Sequence, residues 1–305
     1  MHVKFIVLVV FLVIGSNLQA QDKSPVKFGK VNKDDFQVAV PAADSGAHAL
    51  IIADIGLSRI LPNTEGSFGF EFQRKMRIKI IDIAGVGAGT FVIPIYTAKN
   101  GTDKEELQSI KASTYNLEGG KIAETKLESN QVFTEKTSKI LQEKKFSLPA
   151  LKPGAIIEIS YTIISDFLFD FRPWEFQHEY PCLWSELQIE VPQFYDYAFL
   201  FQGYQPFYLD TKDDVIRSFL MRDSRELGGL TDAYSISAMV HIKRWVIRDL
   251  PALREENFTT TIENHRSKIS FQLSSVNFPG QDPKPVMDTW AKVTKDMEAH
   301  ESFGK

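Results

Sequence analysis

Phe68-Gly69-Phe70-Glu71-Phe72-Gln73-Arg74-Lys75-Met76-Arg77-Ile78-Lys79-Ile80 is the stretch that decides the fold class. Its even positions carry Phe68, Phe70, Phe72, Arg74, Met76, Ile78 and Ile80; its odd positions carry Gly69, Glu71, Gln73, Lys75, Arg77 and Lys79. Successive side chains of a strand point to opposite faces, so a period of two lays one apolar row on a core and leaves a polar row behind it. That pattern belongs to an antiparallel strand covered on one face. The same period recurs over residues 156–164, with Ile157, Ile159, Tyr161 and Ile163 in phase. It recurs again over 234–246, with Tyr234, Ile236, Ala238, Val240, Ile242 and Val246.

Shorter runs of the same kind lie at 49–55, 91–96, 110–117, 187–191, 197–201, 216–220 and 269–273. Turn chemistry separates them: Glu118-Gly119-Gly120-Lys121 reads as a hairpin end, and Lys152-Pro153-Gly154 as a tight turn before a strand. Gly85-Val86-Gly87-Ala88-Gly89 lacks nucleotide-loop spacing and a following helix, so it reads as a strand-to-strand turn. Many short strands with Gly and Pro between them predict an all-β protein, an antiparallel β-sandwich of two packed sheet systems. The expected division is a first sandwich over 21–185 and a second β-sheet region over 186–276. Residues 277–285 carry three prolines and a glycine and read as a linker. Beyond it Val286, Trp290, Val293 and Met297 recur at helical spacing, predicting a short C-terminal amphipathic helix within 277–305.

Residues 1–20 read as a signal peptide: His2 and Lys4, an apolar run of ten from Phe5 to Ile14, a break at Gly15-Ser16, and a small residue at Ala20. The run is too short to span a bilayer. Cleavage there takes away only Lys4 and moves the net charge from −4 to −5. The expected product is exported, periplasmic or secreted, with no membrane insertion after cleavage.

Composition removes several chemistries. A net charge of −4 with no basic stripe argues against nucleic acid, which needs a clustered positive footprint. One cysteine excludes an intrachain disulfide, and the six scattered histidines give no Cys/His metal spacing, so no metal or cofactor site is expected. The nucleophile elbow, the phosphate loop and the His-Glu-x-x-His zinc pattern are all missing. Cys182 is preceded by His178 at a spacing of four, but Pro181 between them spoils a helical pairing, and the cysteine reads as a core residue. No catalytic residue is assigned. Of the 36 aromatic residues, 15 fall between Phe167 and Tyr208, a density that reads first as a core or a seam. The functional alternative is a groove for a peptide or glycan or a docking face for another domain, with Trp174, Tyr195, Tyr197, Tyr204, Tyr208 and Trp290 as its candidate surface. Phe171-Arg172-Pro173-Trp174 also lets Arg172 stack on a ring.

Several motifs occur in a recognisable order: Arg77-Ile78-Lys79-Ile80; Thr114-Tyr115-Asn116-Leu117-Glu118-Gly119-Gly120-Lys121; Lys152-Pro153-Gly154-Ala155-Ile156-Ile157-Glu158-Ile159-Ser160-Tyr161; Trp174-Glu175-Phe176-Gln177; Trp184-Ser185-Glu186-Leu187; and Asp249-Leu250-Pro251-Ala252-Leu253. In this the chain resembles domain of unknown function 3857. The resemblance implies an exported bacterial β-sandwich of the kind that stands before a transglutaminase-like core with a Cys, His and Asp triad. Cys182 lies inside the β-domain and does not match that nucleophile, so no triad residue is carried over. The leading reading is a non-catalytic exported domain that positions or assists a transglutaminase-like or peptidase-like partner core. The alternatives are a cell-surface module for glycan or peptide, and a fragment of a transglutaminase-like enzyme whose catalytic domain lies beyond residue 305.

Overall fold

The computed structural model describes residues 23–63, 66–99, 103–169, 171–222, 233–255, 257, 261–286, 289–300 and 302. The expected signal peptide, 1–20, lies outside the described residues. In chain order the strands are β1 (Ala49–Pro62), β2 (Phe68–Ile80), β3 (Thr90–Tyr96), β4 (Glu105–Glu118), β5 (Lys121–Lys126), β6 (Phe133–Lys136), β7 (Leu141–Ser147), β8 (Ile156–Ser165), β9 (Trp174–Glu175), β10 (Cys182–Pro192), β11 (Tyr195–Gln202), β12 (Leu209–Arg222), β13 (Ala233–Leu250), β14 (Lys268–Val276) and β15 (Lys284–Pro285). The helix α1 (Trp290–Ala299) follows them.

The decisive stretch is β2, residue for residue. It sits inside an eight-stranded sheet ordered β12-β13-β10-β1-β2-β8-β4-β5. Neighbours are antiparallel except β1 and β10, which run parallel. The expected division at 185/186 falls within β10, and its sheet takes strands from both sides of that point. The β4–β5 hairpin turns at Gly119 and Gly120, both with positive φ (55° and 77°), as a tight two-residue connection requires. Residues Ile83–Gly89 form a 3₁₀ turn between β2 and β3, capped by the Asp82 carboxylate. Gly85 is needed there, because a Cβ would meet the His48 carbonyl oxygen at 1.9 Å.

The even row of β2 faces the core. Phe68 packs against Phe194, Tyr195 and Phe219, and Phe70 against Phe171. The covering layer is a sheet of β11, β14 and β15, with β9 also paired to β14. A three-stranded sheet, β3-β7-β6, adds Ile93, Ile95 and Phe146 to the same core. This is the packed-sheet sandwich expected from the alternation.

Lys75 of the odd row of β2 is exposed, but the end of the row at Arg77 and Lys79 is polar without being wet. Residues 23–48 lie across it, and Phe36 joins Ile52, Tyr115 and Ile156 in a second apolar cluster. Arg77, the last but one of that row, has a side chain only 2% exposed. Its Nε and Nη2 donate to Glu158 Oε1 at 2.8 and 2.6 Å, and its Nη1 to Asp35 Oδ1 at 2.9 Å. Nη2 also donates to the carbonyls of Lys27 and Lys30. Lys79 Nζ donates to the carbonyls of Phe36 and Val38, so two cations of one strand face tie the N-terminal segment down.

Helix α1 forms with Trp290, Val293 and Met297 of the predicted stripe and Thr289 accepting from the Lys292 amide as its N-cap, whereas Val286 lies before it, packed on the core with its amide donating to the Ser274 carbonyl. None of its residues is buried, and Trp290 is 87% exposed. No helix among the described residues is long and apolar enough to cross a membrane.

Candidate functional site

One charged residue interrupts the apolar row of β2. Arg74 points inward, opposite Gly56 of β1 and Tyr161 of β8. A bulge in β1 at Ile51/Ala53 re-aims the chain so that Asp54 shares this inner face. Arg74 Nε and Nη2 donate to the two oxygens of Asp54 at 2.9 and 2.7 Å, a bidentate pair. His178 Nε2 lies 2.9 Å from Asp54 Oδ2. An ionised carboxylate can only accept, so Nε2 carries the proton. Burial pushes the Asp54 carboxyl up, but Arg74 and His178 outweigh it and hold its pKa below the ordinary value. Burial likewise works against the charge on Arg74, and Asp54 overrides it, keeping the guanidinium above its ordinary pKa.

The Trp174 ring closes over this pair. The Arg74 guanidinium sits 5.1 Å from the indole centroid, and the indole N–H donates to Ser185 Oγ at 3.2 Å. Gly56 makes the slot: a Cβ there would stand 2.5 Å from the Trp174 ring. Beside this island opens a pocket of about 750 Å³, between the strand β3 and residues 171–175, with Phe167 also in its lining. Phe72, Tyr161, Phe171 and Trp174 form its floor, and Arg74 and Arg172 reach into its wall. Arg172 Nη2 donates to the Pro94 carbonyl at 2.8 Å and pairs with Glu105. Glu105 in turn accepts from the Tyr96 amide at 2.9 Å. The Arg172–Glu105 pair thus meets the main chain of β3 at its Pro94 side, where the ring leaves no N–H to satisfy. Arg172 also lies over the Phe72 ring, at 6.0 Å, as its place among aromatics led one to expect.

The six aromatic residues expected to make a surface do not form one solvent-facing row. Trp174 and Tyr195 are buried. Tyr197 is half-buried and its hydroxyl donates to the Leu168 carbonyl. Tyr208 is 44% exposed and packs edge-on against Trp184 under Arg248, while Tyr204, after β11, and Trp290, on α1, are exposed. The correction has a simple cause: Gly56 provides a slot for Trp174, and Phe68 and Phe278 provide ring faces for Tyr195. Asp54, Arg74 and His178 were not singled out as a group from the sequence. The available signal was the lone arginine in the apolar row of β2.

Cys182 is fully buried. Burial, and then the negative charge of Asp54, push its thiol well above the ordinary pKa, the opposite of what a nucleophile needs. We therefore expect Cys182 to resist alkylation by iodoacetamide in the folded protein and to react fully in denaturant. Rapid stoichiometric labelling of the native state would contradict this environment. Among the described residues no group of three or more His, Cys, Asp or Glu side chains is arranged to hold a metal ion.

Comparisons with known proteins follow the same lines. No curated protein matches the sequence. Among solved structures, a putative protease from Parabacteroides distasonis is similar, with a TM-score of 0.51 at 16% identity over 75% of this chain and 41% of the other. An M1 zinc metallopeptidase from Deinococcus radiodurans also matches, with a TM-score of 0.27 at 10% identity over 64% of this chain and 42% of the other. The chain thus spans about two fifths of the length of these proteins. At such identities the first likeness is one of fold. The sequence profile of a domain of unknown function with a solved structure matches residues 68–225, which include every residue lining the pocket. That match takes in more than half of the sequence, and the chain belongs to the DUF3857 family.

Proposed function

We propose that this protein is a non-catalytic, exported β-sandwich domain that positions or assists a transglutaminase-like or peptidase-like partner core. The observation that carries the reading is the exposed face of α1. Trp290 and Met297 are 87% and 50% exposed, on a helix that follows the proline-rich segment 277–285, which pairs with β14 through β15. A tryptophan left in water on an amphipathic helix is a characteristic protein-docking anchor. Two further points support it. The buried Asp54 carboxylate is held by Arg74 and His178, and the single thiol is in an environment that suppresses its reactivity. The Parabacteroides protein, described as a putative protease, is more than twice as long as the part this chain covers, which leaves room for a separate core beside the shared fold.

The test is an activity assay of the purified chain on a fluorogenic protein substrate and on amine incorporation, alone and mixed with a transglutaminase-like core from the same organism. The chain alone is expected to be inactive, and to bind the core in a way that Trp290→Ser weakens about tenfold or more. Turnover by the chain alone, abolished by Cys182→Ser, would overturn the reading.

A further inference from the structure

The pocket beside Arg74 is too large and too specifically lined to be a packing defect. Its volume, about 750 Å³, matches that of small-ligand sites, and aromatic walls with a few placed polar groups are their usual make-up. Its rim is apolar and open: Val92 and Tyr96 are 52% and 44% exposed, and Ile140 is exposed beside them.

The polar part of the lining has a definite geometry. Lys99, Arg74 and Arg172 face Glu105 and Glu175, and the charges are not equally engaged. Glu175 is paired with Arg266 and Glu105 with Arg172 and the Tyr96 amide. Each pocket guanidinium is anchored along one side. Arg74 spends Nε and Nη2 on Asp54, with Tyr161 beside it, and Arg172 spends Nη2 on Pro94 and Glu105. Arg172 Nε is buried with no acceptor among the described residues. That atom has no accessible surface, so a ligand meets Arg172 only through the exposed part of its side chain. Two immobilised guanidinium groups above an aromatic floor are complementary to an anion attached to an apolar body.

We propose that this pocket binds a carboxylate carried on an aromatic or branched aliphatic group, as presented by the C-terminal residue of a peptide. The carboxylate meets Arg172 and Arg74, and the side chain lies on Phe72, Phe171 and Trp174. The proposal does not depend on the partner-core reading, because every residue it uses lies on the sandwich itself.

The test is titration of the full chain by calorimetry and ligand-observed NMR. The probes are N-acetyl-phenylalanine, its amide, acetyl-Ala-Ala-Phe and inorganic phosphate. The acid is expected to bind about tenfold or more tightly than the amide, because a charged hydrogen-bonding partner is lost. Tighter binding of the tripeptide assigns the site to peptide ends, and equal binding assigns it to free aromatic acids; both sustain the carboxylate. Arg172→Gln should bring the acid down to the affinity of the amide. Val92→Trp, at the exposed rim, should block the pocket with an unchanged melting temperature, so that lost binding is not lost folding. Equal affinity for acid and amide, binding by phosphate alone, binding that survives Val92→Trp, or no binding by any probe at about 10 mM would overturn the proposal.

Discussion

Replacement of Arg77 by methionine is expected to destabilise the protein by about 3–5 kcal/mol, the range seen when one member of a buried ion pair is removed. The Arg77 side chain is 2% exposed and that of Glu158 8%, so water cannot take over the lost partner. Glu158 would keep only the Gly29 amide at 2.8 Å and the Tyr115 hydroxyl at 3.5 Å. The Lys30 carbonyl would lose its Arg77 donor as well, and the Lys27 carbonyl would keep only the Lys30 amide. Urea unfolding should show the loss as a lower midpoint at constant slope. The melting temperature should fall on the order of 10 °C. Limited proteolysis should cut first within residues 23–48, because these are what Arg77 holds to the sheet. The double change Arg77→Met with Glu158→Leu should recover part of the loss, since an apolar pair no longer buries an unmatched charge. A single mutant as stable as the wild type would show that the strap is held by apolar contacts alone.

Asp54→Ala is expected to cost about 3 kcal/mol, at the lower end of the same range. Arg74 lies beside an open pocket and is a quarter exposed, so it can recover some hydration that Arg77 cannot. The pair also predicts a pH dependence. The Asp54 pKa lies below its ordinary value in the folded state, so the unfolded chain binds the proton first on acidification. Its contribution is therefore complete above about pH 4 and vanishes as the pH falls through the folded pKa. Wild type should lose stability in that acid window, and Asp54→Asn should lose less over the same range. Identical slopes for the two proteins would mean that Asp54 is not the titrating group.

The architecture was legible because it rests on local rules. The alternation of β2, the Gly119-Gly120 hairpin and the spacing of Trp290, Val293 and Met297 are short-range patterns, and each became the element it predicted. The polar face of β2 misled in one respect. Periodicity tells which residues share a face, but it does not tell what lies on that face. The cover over Arg77 comes from residues about forty positions upstream, held by carbonyls that any sequence could supply. The candidate site was harder still. Asp54 reaches Arg74 only because a bulge shifts β1 by one residue, and His178 joins them from 124 residues away. The aromatic cluster was visible in composition, yet which rings are buried depends on tertiary slots. Trp174 is buried because Gly56 lies on the strand beneath it, whereas Tyr204 is 90% exposed.

The docking role is tested most directly by placing a photo-reactive benzoylphenylalanine at the position of Trp290 in the protein expressed in its own cells. After irradiation, mass spectrometry identifies what the side chain touches. The account predicts one dominant crosslink, to a transglutaminase-like or peptidase-like core. Crosslinks confined to the protein's own β-sandwich would contradict it, because the helix would then have its partner within the chain.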